Sequence, residues 1–355
     1  MFKITAPFRG EEEIIPLIES GADEFYCGYL SADWVRKYTS LEFERKGGVG
    51  SNFTDLKKLK RAIELAHKKN TPVYLTVNGL YVKSQYSFLI KIIRELEKTD
   101  LDAYIVADIG LLLTLRELKT SKEIHISTGG TVFNSQSVEF YKNLGATRII
   151  LDRQISLKAM QKIPLRYPEI DFEVFVLNTL CVFIDGFCTF LHSYMDRKKK
   201  DISKKDWLQD ERMEILTTYD ASEVTDACAL KYSVEAFRAT LNKKAFLSMV
   251  RPVFYKQLKD CTDCGACALY DIMRTNIKTV KIVGRQITPE ERLRSVQFIS
   301  SCRDILIENK NIGRENFLQK TQQLYRKTFN YRKKCRGNNC YYPNILLNKQ
   351  SDEAR

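Results

Sequence analysis

TPVYLTVNGLYVKSQYSFLIKIIRELEKTDLDAYIVAD, residues 71–108, decides the fold. PVYLTVN and AYIVAD at its two ends are short apolar runs of strand length, with β-branched and aromatic residues. SQYSFLIKIIRELEKTD between them carries apolar residues at helical spacing. A strand, an amphipathic helix and a second strand read as parallel neighbours joined by a crossover. Outward from this unit the pattern repeats. FKITAPF and EFYCG precede it, EIHIST, RIILDR and FEVFVLN follow it, and FTDLKKLKRAIELAHKKN is a further helical stretch. Ser51, Thr54 or Asn134 is placed to cap such helices. These runs make seven strands by residue 178, and TVKIVGR (279–285) with the helical pattern behind it makes an eighth. Eight strand–helix units are the count of a TIM barrel. The expected fold is therefore α/β, a (β/α)8 TIM-barrel-like domain with a cysteine-rich insertion after strand 7 and a basic C-terminal extension. Residues 1–178 hold the first seven units, 179–278 the insertion, 279–310 the last unit and 311–355 the extension.

In such a barrel the C-terminal strand ends converge on one mouth. Asn78, Asp108, Ser127, Thr128, Arg153, Asn178 and Arg285 fall there. Each has an alternative role in capping a helix or satisfying loop backbone. No GxSxG, HExxH, GxxxxGK or dinucleotide fingerprint occurs. A cysteine-peptidase mechanism needs a histidine base, and only His192 follows a cysteine closely enough to serve.

The ten cysteines are not scattered. Cys181 and Cys188 bracket the apolar turn LCVFIDGFC, directly after the seventh strand. Cys228 lies in TDACALKY, Cys261, Cys264 and Cys267 in CTDCGAC, and Cys335 and Cys340 in CRGNNCYYP. Stepped thiols suit a soft metal or an iron–sulfur cluster. Structural zinc uses separated CxxC pairs or paired histidines, and none of the three histidines is near CTDCGAC, which favours iron–sulfur over zinc. Cys302 and Cys27 read instead as small core residues. The N-terminus lacks a signal-peptide pattern and no apolar run is long enough to span a bilayer. A cytoplasmic protein without membrane insertion is expected, where a disulfide framework does not account for the thiols. The net charge of +13 favours polyanionic partners, RNA first. Residues 303–336 alone carry ten Lys/Arg against three Asp/Glu.

The chain resembles peptidase family U32, the collagenase-like peptidases. The resemblance rests on GADEFYCG, Arg45 with Asn52–Phe53, VADIG, HISTGGTVFNS, LGATRIILDRQIS, EVFVLNTLCVFIDGFC, CALKY and VKIVGR, in order over residues 1–310. It implies a barrel-like fold and a 4Fe–4S cluster held by four cysteines. It also implies oxygen-independent hydroxylation, of RNA or of a quinone ring, with a prephenate-like oxygen donor. By motif, Cys181, Cys188 and Cys228 match the family's ligands, and the fourth is Cys264 or, next, Cys267. A second metal site of Cys261, Cys335 and Cys340, with a remaining thiol of CTDCGAC, stays open. The sequence departs from the family at Asn178–Thr179, where His-Gly is usual, at Gln154, where Glu is usual, and at Val283, in a K-x-E-G-R motif.

The resulting expectation is an iron–sulfur enzyme that hydroxylates RNA, with Arg153, Asp108, Lys281 and Arg285 as candidate catalytic residues. Arg153, Lys281 and Arg285 would grip an anionic donor or phosphate. The aromatics of NYRKKC and CYYP either stack on unpaired bases or pack the tail onto the barrel. The alternatives are the same chemistry on a small molecule or peptide, and a non-catalytic iron–sulfur subunit serving a partner protein or electron donor.

Overall fold

The computed structural model describes residues 1–38, 51–181, 183–188, 194–195, 224–225, 262–330 and 340–347. Its centre is a closed barrel of eight parallel strands. These are β1 (Lys3–Pro7), β2 (Glu24–Gly28), β3 (Val73–Val77), β4 (Ala103–Val106), β5 (Glu123–Ile126), β6 (Arg148–Ile150), β7 (Asp171–Leu177) and β8 (Thr279–Ile282). Each lies within a run read from the sequence except β7, which starts one residue before FEVFVLN, and β8 closes the barrel between β7 and β1. The short strands Tyr194–Met195 and Val224–Thr225 form a separate antiparallel pair.

Helices clothe the barrel: α1 (Ile14–Glu19), α2 (Ala32–Lys37), α3 (Leu56–His67), α4 (Lys83–Leu96), α5 (Ile109–Glu117), α6 (Ser135–Asn143), α7 (Leu157–Arg166), α8 (Leu269–Ile272), α9 (Pro289–Glu308) and α10 (Arg314–Thr328). The helix α3 shows why they dock. It buries Leu59, Ala62, Ile63 and Ala66, one stripe at three- and four-residue spacing. Asn134 caps α6 as expected, whereas α3 starts on the Asp55 carboxylate and not on Ser51 or Thr54. Thr288 and Glu291 close a reciprocal capping box on α9, with Pro289 at its first turn. Cys27 and Cys302 are fully buried core thiols, as their sequence context indicates.

Strand alternation points Ile4, Ala6, Val174 and Val176 at the helices and the intervening residues into the barrel. That interior is charged. Arg148 donates to Glu24 at 2.6 and 3.1 Å and to Glu173 at 3.3 Å. Lys281 donates to Glu173 at 2.6 Å, and Thr5 donates to Glu24 at 3.1 Å. Burial alone would raise the Glu24 carboxyl, but Arg148 and Lys3 override it and hold it at about 2. Buried ions persist only when paired and hydrogen-bonded, and this set balances two carboxylates with two cations.

The C-terminal extension does not hang free over 314–328 and 340–345. Helix α10 packs along α9, and Tyr341 and Tyr342 are buried. The CYYP aromatics therefore pack the tail onto the barrel, which removes them as base-stacking groups. Tyr331 of NYRKKC lies outside the described residues. Among the described residues no helix is long and apolar enough to cross a membrane.

Candidate active site

The C-terminal ends of the strands carry the groups with chemistry. Arg153, just past β6, reaches toward the segment following β7. Its guanidinium stacks 4.6 Å from the Phe175 ring centre and donates to the Thr179 carbonyl at 3.0 Å. Its Nε lies 3.5 Å from Asp185 Oδ2. Burial disfavours the Arg153 charge, but Asp185, Tyr341 and Cys181 outweigh burial and raise it, so Arg153 stays cationic. Arg285, past β8, donates to Asn52 at 2.8 Å and lies over the Tyr26 ring at 5.9 Å. Arg153 and Arg285 thus leave the strands on either side of β7, and the Arg285 guanidinium reaches away from β7 to the end of β2.

Cys181 and Cys188 stand at either end of a turn whose centre is Asp185–Phe187, and both thiols are partly buried. Gly186 lets that turn sit against the loop after β5, since a Cβ there would lie 2.6 Å from the Gly129 carbonyl. Asp185 N–H donates to Asp152 at 3.4 Å, and Gln154 donates to the Cys181 carbonyl at 2.6 Å. Burial and the neighbouring Asp185 carboxylate push Asp152 up from the ordinary range. Two cysteines, two buried carboxylates and an arginine therefore share one rim of the mouth.

The remaining sequence candidates take other places. Asp108 is a structural cap: its carboxylate accepts from Leu111 N–H at 2.7 Å, from Tyr81 N–H at 3.2 Å and from the Tyr86 hydroxyl. Lys281 lies deeper, on Glu173 and 4.0 Å from the Tyr26 ring centre, and burial lowers its pKa. It belongs to the interior ion set and not to the rim with Arg153. Asn178 donates to Val283 O at 2.8 Å and Ser295 Oγ at 3.1 Å, tying β7 to the start of α9. Asn78 donates to Ser127 Oγ at 3.2 Å. Cys264 pairs with Cys340 across a parallel bridge, and Cys267 is buried. Cys228, Cys261, Cys335, His192 and Arg45 lie outside the described residues. Among the described residues no three Cys, His, Asp or Glu side chains are grouped to hold a metal.

Two contributors escape a reading of the sequence. Arg292, on α9, is fully buried, grips Glu13 with Nε and Nη2 at 2.6 and 2.7 Å, and donates to the Arg285 carbonyl at 3.3 Å. It fixes the loop that presents Arg285. Arg148, Glu24 and Glu173 form the interior charge set. The available signal was a charged residue inside an apolar run, at the parity facing inward.

The model of peptidase family U32 matches residues 11–344. A tRNA hydroxylation protein P from Helicobacter pylori is 31% identical over 186 residues, which is 52% of this chain and 41% of that protein. The 23S rRNA 5-hydroxycytidine C2501 synthase of Escherichia coli is 27% identical over 143 residues, covering 40% of this chain and 21% of the synthase. The matches thus span less than half the length of these relatives. The solved structure of the U32 peptidase Mk0906 aligns over 50% of this chain and 69% of its own, with 13% identity and a TM-score of 0.39.

Proposed function

The chain belongs to peptidase family U32, and from that premise we propose that it hydroxylates a nucleobase of RNA at the barrel mouth. The observation that carries the reading is the Cys181–Cys188 turn set on the mouth beside Arg153 and Asp185. Relatives named for tRNA and rRNA hydroxylation support the substrate class. So does the net charge of +13, which suits phosphate contacts.

The donor chemistry fits an iron–sulfur cluster. Two thiols sit one short turn apart, and the Arg153 guanidinium lies close enough to Cys181 to interact with it electrostatically. Cys181 and Cys188 would hold it, with Cys228 and a further cysteine. When bound, a 4Fe–4S cluster supplies one-electron transfer. The chain's own groups do the rest. Arg153 and Arg285, each locked by an acceptor, hold an anionic oxygen donor of prephenate type with little ordering entropy left to lose. Asp152, whose carboxyl burial and the neighbouring Asp185 push up from the ordinary carboxylate range, is the carboxyl of the rim best placed to carry a proton. The Arg148–Glu24–Glu173–Lys281 set keeps the strands beneath in register.

The test has two parts. Anaerobically purified protein is assayed for iron and sulfide, and bulk tRNA and rRNA from cells with and without the gene are digested for nucleoside mass spectrometry. The expected result is a cluster and one pyrimidine whose oxygen adduct disappears with the gene. Iron at the mouth with an unchanged nucleoside profile would move the activity to a small-molecule or peptide substrate.

A further inference from the structure

Helix α10 divides sharply between its two faces. Phe317, Leu318, Thr321 and Tyr325 are buried, where the helix packs along α9 and the 266–268 turn. The opposite stripe, at three- and four-residue spacing, is Asn316, Gln319, Lys320, Gln323, Arg326 and Lys327, all exposed. Cations and amides alternate along it, and no acidic residue occurs from 316 to 330. At the start of the helix the stripe runs into a groove of about 720 Å³, whose other wall is the α9–α10 turn with Asn309, Lys310 and Asn311. Glu308 is the one carboxylate that lines it. Among the described residues, Lys310, Lys320, Arg326 and Lys327 form no ion pair.

The stripe runs toward the mouth. Helix α9 follows the C-terminal end of β8, and α10 returns along it. Tyr325, in the last turn of α10, donates through its hydroxyl to the Thr262 carbonyl. The next two residues join the end of β7: Asn178 N–H donates to Asp263 O at 2.8 Å, and Cys264 bridges Leu177. From Asn316 to Lys327 the helix rises about 16 Å. The track therefore begins in the groove at the far end of the barrel wall and finishes beside the strand that leads into Cys181.

The composition of the face selects its partner. Lysine and arginine heads neutralise phosphates, and side-chain amides offer donors and an acceptor to ribose hydroxyls and base edges. A protein-docking face carries aromatic or aliphatic anchors at its centre, and a helix lying on a bilayer exposes an apolar stripe. Among the described residues, none of the large exposed hydrophobic side chains lies on α10. Compensation of the helix dipole accounts for Arg326 and Lys327 in the last turn, but not for Lys310 or Lys320. We propose that this face of α10, with its groove, binds the ribose–phosphate backbone of the RNA whose base enters the mouth. The inference rests on the reading of RNA as substrate, and it adds where the RNA lies: along the outer wall of the barrel beside β7.

The test uses the full-length, anaerobically purified chain and labelled unfractionated tRNA, with binding followed by fluorescence anisotropy over a series of KCl concentrations. One variant is Lys310→Gln/Lys320→Gln/Arg326→Gln/Lys327→Gln. A control, Lys57→Gln/Lys58→Gln/Lys68→Gln/Lys69→Gln, removes the same charge from exposed positions of α3. The α10 variant should bind about tenfold more weakly or worse at low salt, and its plot of log affinity against log salt should be shallower by about 3, from about 0.7–0.9 for each of four lost phosphate contacts. The α3 control keeps the wild-type slope. The proposal is overturned if the α10 variant keeps that slope, or if the α3 control flattens it equally, which leaves net charge as the whole effect. A charge-preserving variant, Lys310→Arg/Lys320→Arg/Arg326→Lys/Lys327→Arg, guards against misfolding: it should show the wild-type slope, and a flattened one rejects the proposal. Vesicles of anionic phospholipid that bind through these four cations while tRNA does not would make the face a membrane contact and also reject it. Binding of tRNA that depends on α10, with an unchanged nucleoside profile, retains this inference and rejects the hydroxylation reading. A nucleoside that disappears with the gene, with tRNA binding indifferent to α10, does the reverse.

Discussion

Replacing Arg148 by Met tests whether the barrel interior is held by charge. Arg148 donates two hydrogen bonds to Glu24 and one to Glu173, and Met matches its stem without its cation. Two estimates of the cost agree. A carboxyl held at about 2 in place of 4.5 corresponds to about 3 kcal/mol of folding free energy. Breaking one member of a buried ion set costs about 3–5 kcal/mol, because its partners stay buried and unpaired. The sign with pH follows. Glu24 is depressed in the folded chain, so its stabilisation is complete above about 4.5 and is lost as pH falls toward about 2. In the Met variant burial acts on Glu24 without Arg148, its carboxyl rises, and this acid-side loss disappears. Urea unfolding followed by circular dichroism at pH 7, and then stepwise down to pH 3, measures both arms. Adding Glu24→Gln should restore at least half of the loss, as a coupled pair requires. A cost below about 1 kcal/mol, against the 3–5 expected of a broken buried pair, would refute the reasoning, as would a variant that keeps the wild-type acid slope.

Three further outcomes are expected. Asp108→Asn keeps an acceptor at the α5 cap, so it should cost about 1 kcal/mol or less in thermal unfolding and leave activity within about twofold; loss of activity would show a role beyond capping. Gly186→Ala drives a Cβ onto the Gly129 carbonyl and displaces the turn between Cys181 and Cys188. Iron per chain should then fall severalfold while the melting temperature shifts little. Thr179→Gly relieves a β-branched residue at φ 42° and should stabilise the chain by about 1 kcal/mol in urea unfolding.

The barrel is legible in the sequence because each crossover helix carries its own apolar stripe between short strands, and no long-range knowledge is needed to count them. Lys281 shows where legibility stops. Its strand is readable and its inward parity follows, but whether an inward lysine reaches the mouth or meets a carboxylate depends on which residue β7 places beside it. That residue is Glu173, which stands opposite Thr279 in the register of two strands a hundred residues apart and takes the Lys281 ammonium from the diagonal position. Asp108 is ambiguous in another way: one carboxylate at a strand–helix junction serves a cap and a reaction equally well on paper. The structure adds the cap, with three donors converging on the carboxylate. Tyr341 and Tyr342 look like surface aromatics beside a basic tail, and only their hydroxyls' bonds to barrel carbonyls reveal that they are anchors.

Those anchors bear on the rim itself. Asn178 and Thr179 both have positive φ, at 64° and 42°, where the family resemblance leads one to expect His-Gly. A threonine does not hold that conformation for its own sake. It is held because the Thr179 carbonyl accepts from Arg153 and from Tyr341, while the Asn178 side chain is tied to Val283 and Ser295. The left-handed pair thus turns the chain out of β7 toward Cys181 under three constraints, one from the rim, one from α9 and one from the C-terminal segment. Loosening the C-terminal segment would release Thr179, and with Thr179 one of the acceptors that fixes Arg153. The distant CYYP sequence and the thiols at the mouth are therefore one mechanical unit, joined through two carbonyl oxygens at the end of β7.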